Sequence, residues 1–69
     1  MSETVKITTE FIRLDALLKL AGLADTGGEA KQQILQGLVT VDGEPCLQRG
    51  RKIRAGMTVQ SGDRQITVE

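Results

Sequence analysis

At Gly37 the hydrophobic period of this chain changes, from about 3.6 residues before it to about 2 after it. Such a chain builds its helices first and most of its strands afterwards, which is the order of an α+β domain. Before the switch, "EFIRLDALLKLAGL" sets Phe11, Leu14, Leu17, Leu18 and Ala21 at spacings of three and four. This predicts a helix over Arg13–Ala21, with Phe11 on its apolar side and Gly22 as its stop. Leu20 and Leu23 widen the stripe, so the helix is expected to pack on two sides. In "ADTGGEAKQQILQGLV", Thr26 is followed three residues later by Glu29, a capping-box pattern. A second helix is expected over Gly27–Gln36, with Ala30, Ile34 and Leu35 facing inward and Gly37 ending it.

Ahead of the helices, Thr4–Thr8 alternates and reads as a short strand with Val5 and Ile7 on one face. Beyond Gly37, Val39 and Val41 lead into Asp42-Gly43, a strong hairpin signal, and Pro45 confines the return strand to an edge. Ala55-Gly56 and "SGD" read as turns, and Met57, Val59, Ile66 and Val68 as the inward residues of two further strands. The expectation is one domain over residues 1–69. A chain of this size buries roughly 60% of its unfolded surface, so nearly every large apolar residue is expected inside.

Composition then removes most chemistry. There is no histidine, so no Ser-His-Asp or Cys-His arrangement and no general base poised near neutral pH. The single cysteine, Cys46, allows no intramolecular disulfide and no structural zinc site. It is either a small half-buried strand residue or a thiol activated by the cations that come after it. No close carboxylate pair suggests acid–base work. A non-catalytic protein without cofactor or metal is expected. No run of about 18 apolar residues offers a membrane span, and the N-terminus lacks the plan of a secretory signal, so a cytoplasmic location is expected.

Nine basic and nine acidic residues cancel over the whole chain, but not locally. "LQRGRKIRAG", from Leu47 to Gly56, packs Arg49, Arg51, Lys52 and Arg54 into six positions with no acid among them. Screening hides charges beyond about 8 Å at physiological salt, so local potential decides attraction at contact. Arginine can grip phosphate with two parallel hydrogen bonds, and Gly50 leaves the backbone free to turn. The stretch is either a solvated loop or a surface for a polyanion. Gly27 and Gly28 pose a similar choice, between a tight turn and a helix start open to phosphate. With Phe11 the only aromatic, and assigned to the helix, no platform is expected for stacking unpaired bases. The nucleic acid that fits is a folded RNA, such as a hairpin or junction.

Four stretches in order, "RLDALLKLAGL", "TGGEAKQQILQG", "VTVDGE" and "RGRKIRAG", resemble the RNA-binding domain of the ribosomal protein S-four type, or alpha-L motif. The match is to its short free-standing bacterial form, the YbcJ/YaaA group, over about Ile12 to Gln60. That group shows an L-K-L-A-like first-helix end, a G-G-x-A-K second-helix entry, V-x-V-N-G-E, and R-R-G-R-K before a turn glycine. The resemblance implies two helices on a small, bent antiparallel sheet. It also implies RNA lying across the second helix and the turns of the hairpin region. Carried over position by position, the implied contacts are Arg13, Gly27, Gly28, Lys31, Gln32, Arg49, Arg51, Lys52 and Arg54. Leu17, Leu18, Ala30, Ile34, Val39 and Val41 match core positions. Asp42 stands where the group usually has asparagine, which sets an anion near the implied surface. The partner implied is structured RNA, such as ribosomal or transfer RNA, bound by a monomer associated with ribosomes.

Three other readings compete. A protein-interaction module would dock its basic loop on an acidic partner or add its outer strands to another sheet. A sulfur or ubiquitin-like carrier needs a Gly-Gly tail, whereas this sequence closes on "ITVE". An enzyme would need a catalytic part that the alpha-L motif itself does not bring.

Overall fold

The computed structural model describes residues 2–69. Strand β1 (Ser2–Val5) and the two-residue β2 (Ile12–Arg13) precede helix α1 (Leu14–Leu20) and helix α2 (Gly27–Leu35). Strands β3 (Val39–Val41), β4 (Glu44–Pro45), β5 (Lys52–Ile53), β6 (Thr58–Ser61) and β7 (Arg64–Val68) complete the chain. Five strands form one sheet in the order β1-β7-β6-β3-β4, and β2 with β5 forms a separate ribbon. The architecture is α+β, with the two helices and both sheets sharing one core.

Helix α1 turns Leu14, Leu17 and Leu18 inward, each fully buried. Ala30 and Ile34, four apart on α2, meet them, and Val39, Val41, Val59, Ile66 and Val68 close the core from the sheet. Leu35, expected beside Ile34, is instead 52% exposed, and Leu20 is 63% exposed. Each helix is so short that only one stripe can reach the core, and a residue next to that stripe is turned about 100° away. The first helix therefore packs on one main face, with Leu23 just beyond it half-buried against the core.

Helix α2 begins as the capping box predicts. The Thr26 hydroxyl accepts from Glu29 N–H at 3.1 Å, and the Glu29 carboxylate reaches back to Asp25 N–H at 3.4 Å. Asp42 and Gly43 both take positive φ, 51° and 87°, which is the paired requirement of a type I′ hairpin turn. The Asp42 carboxylate accepts from Thr58 N–H at 2.9 Å, so this anion ties the hairpin tip to β6.

The first strand runs over Ser2–Val5 where Thr4–Thr8 was expected, so Ile7 lies beyond it, and three more expectations change. The sheet is not wholly antiparallel, because β1 pairs with β7 in parallel, Ser2 opposite Gln65 through Val5 opposite Val68. No hairpin joins these two strands, so no turn dictates their direction. Phe11 lies just before β2, not on the helix. Cys46 lies in the loop after β4, not in a strand, and is 7% exposed with its Sγ 3.7 Å from the Gln48 carbonyl.

Arg64 closes the structure on the β1–β7 side. Its guanidinium pairs with both Glu3 carboxylate oxygens at 2.6 Å and donates to the Ala21 carbonyl at 2.8 Å. It joins β7, β1 and the end of α1 through one side chain. Arg64→Ala is expected to lower the unfolding free energy by about 1–2 kcal/mol, discounted for its partial exposure. A urea titration checks this; an unchanged midpoint would show that water replaces these bonds at no cost.

Candidate functional site

The basic stretch is not a free loop. Its strand β5 pairs antiparallel with β2, setting Ile12 opposite Ile53 and Arg13 opposite Lys52. Ile53 is fully buried and is the only buried residue between Leu47 and Gly56. Cross-strand partners share a face, so the buried isoleucine leaves Arg13 and Lys52 side by side on the outer face. The preceding loop is fastened by its backbone. The Arg51 carbonyl accepts from Leu14 N–H at 2.9 Å and the Arg49 carbonyl from Asp15 N–H at 3.1 Å. These are first-turn donors of α1 that no helical carbonyl can satisfy. The helix has no side-chain cap at Arg13. The basic loop supplies that cap with main-chain oxygens.

Arg13 sits at the centre of this surface. Its guanidinium pairs with Asp15 at 3.2 Å, and a Cβ built on Gly50 would lie 3.7 Å from it, so the loop passes directly beside it. Arg13, Asp15, Ala16, Lys19 and Gly27 line an open groove of about 300 Å³ that runs along α1 beside the start of α2. On its other flank, Lys52 Nζ stands 4.9 Å and Arg54 Cζ 5.9 Å from the centroid of the Phe11 ring. A continuous path therefore runs from Gly27 through Arg13 to Lys52 and Arg54.

Gly27 and Gly28 open α2 with N–H groups that meet no acceptor among the described residues. A Cβ on Gly27 would meet nothing within 4 Å, and on Gly28 only the Thr26 hydroxyl at 3.9 Å. Packing within the protein does not demand glycine at either position. Lys31 lies one turn beyond Gly27 on the same side of α2, exposed to approach, and Gln32 is exposed next to it. Among the described residues, no hydrogen bond or ion pair links Lys31 or Gln32 to the basic loop. Arg49 and Arg51 are exposed, and among the described residues their guanidinium groups bond to no protein atom.

Two residues join this surface that were not among the expected contacts. Lys19, within the L-K-L-A end of the first helix, adds a cation to the groove; its spacing of three from Ala16 and four from Asp15 puts it on their side of α1. Phe11 is the other, misplaced because its spacing of three from Leu14 mimics a helix.

A sequence model of the S4 domain matches residues 5–69. The chain belongs to the S4 domain family. RlbA of Bacillus subtilis (strain 168), named as a probable ribosome maturation protein, is 40% identical over 60 residues. That alignment covers 87% of this chain and 84% of RlbA. YbcJ of Escherichia coli (strain K12), whose name gives it a provisional RNA-binding role, is 39% identical over 57 residues, 83% of this chain and 81% of its own. The S4 match runs beyond the Ile12–Gln60 segment that carries the sequence motifs, taking in Val5 of β1 and the whole of β7. No helix of this S4 domain is long and apolar enough to cross a membrane, among the described residues.

Proposed function

We propose that this S4 domain is a non-catalytic module that binds structured RNA as a monomer, by phosphate and shape contacts along the path from α2 to the basic ribbon. The observation that carries this is the β2–β5 register, which sets Arg13 of the helix head beside Lys52 of the basic stretch. Cations far apart in the sequence thereby become one edge. The proposed contacts are Arg13, Gly27, Gly28, Lys31, Gln32, Arg49, Arg51, Lys52 and Arg54, with Lys19 added from the groove. The names of RlbA and YbcJ support the reading, the first toward ribosome maturation and the second toward RNA. Binding without catalysis is the reading that suits a chain with no histidine whose one thiol is buried.

If three to five phosphates are engaged, log K should fall against log salt with a slope of roughly −3 to −4, taking duplex DNA as the guide. Titration with a structured RNA, followed by amide chemical shifts, should move residues 27–32 and 49–54. A salt-independent affinity, or shifts confined to the β1–β7 side, would sink the proposal.

A further inference from the structure

Phe11 is the only aromatic residue of the chain, and the fold does not use it as core. The fully buried large side chains are all Leu, Ile and Val, and the half-buried ones packed against them do not include Phe11. In a domain with so little apolar surface to bury, the largest side chain would ordinarily go inside. Instead it stands half-buried on the candidate surface, with the Lys52 and Arg54 cations over its ring. Its backbone is held. The Phe11 carbonyl accepts from the Thr9 hydroxyl at 2.8 Å, and Ile12, the next residue, is paired to Ile53.

We propose that Phe11 is the stacking platform for one unpaired base, with Lys52 and Arg54 meeting the phosphates on either side of that nucleotide; this rests on the RNA reading above. The two cations cover the ring only through long, exposed side chains, and such contacts are weaker than base–aromatic stacking. A base therefore displaces them from the ring. Each displaced cation remains within a few ångströms of the backbone that brought the base. One ring serves one base, so the ligand class is not a single strand. It is a folded RNA with one unstacked nucleotide beside a helical stem, the stem lying along Arg13 and the α2 start. This sharpens shape recognition into recognition of a bulge or loop edge.

The test uses two RNA hairpins, identical except for one unpaired adenosine in the stem of one. Wild-type protein is expected to bind the bulged hairpin about 10-fold more tightly. Phe11→Leu, which keeps an apolar side chain but no π face, should bring the ratio of the two affinities to about 1. Phe11→Trp should restore the preference, its indole fluorescence quenched by the bulged RNA alone. Equal wild-type affinity for both hairpins, or a preference that survives in Phe11→Leu, overturns the stacking role and leaves phosphate binding standing. Wild-type protein that binds neither hairpin overturns the RNA reading and the platform with it.

Discussion

Ile53→Ala is expected to destabilise the domain by about 2–5 kcal/mol, the range for emptying a fully buried aliphatic site. A chain of this length has a total stability of only about 3–10 kcal/mol, so the variant should lose a large share of it and unfold at a clearly lower temperature and urea concentration than wild type. The size of the effect follows from position. Ile53 is fully buried in the shared core while every other residue from Leu47 to Gly56 is outside it. Removing its side chain leaves a cavity and frees the ribbon whose other strand leads into α1. Ile53→Val, which removes one methylene, should cost only about 0.5–1.5 kcal/mol and keep the ribbon paired. Thermal and urea unfolding, followed by circular dichroism, check both. A loss below about 1 kcal/mol in Ile53→Ala would show that the ribbon does not share the core.

Reversing two charges in the same stretch should do the opposite, sparing the fold and removing function. Arg49→Glu with Arg51→Glu is expected to lower affinity for structured RNA by about 100-fold at physiological salt and to flatten the salt slope by about 2. The effect should be nearly equal across RNA sequences, because phosphate contacts carry no base information. Stability should stay within about 0.5 kcal/mol of wild type, since both side chains are exposed and only their carbonyls bond to α1. The pair of measurements is what matters. Affinity lost together with stability would mean that the guanidinium groups hold the loop, and unchanged affinity would place RNA elsewhere.

The contrast between these variants shows what could be read from sequence. Features set by a few neighbouring residues were legible: the Thr26–Glu29 cap, the Asp42-Gly43 turn, and the inward sides of β3, β6 and β7. The β2–β5 ribbon was not. Two-residue strands have no measurable period, and Ile53 alone among charges looks like a loop residue rather than an anchor. Its pairing with Ile12 joins positions far apart in the chain, which no local pattern encodes. Phe11 was hidden for a related reason, since its spacing to Leu14 is helical while Arg13 between them is extended, with ψ of 147°. The parallel course of β1 beside β7 was also out of reach, because strand direction without a hairpin is fixed only by the whole fold. Charge marked the basic stretch at once, but its relation to Arg13 and Lys19 appears only in three dimensions.

The carbonyl groups of Arg49 and Arg51 that cap α1 carry one further consequence. The structural duty of those two positions falls on atoms that every amino acid possesses. Folding therefore places almost no demand on which side chains stand there, and the two sites are open to selection by whatever molecule the surface meets. A lineage of such domains could exchange one target for another by rewriting this loop, without rebuilding the scaffold beneath it.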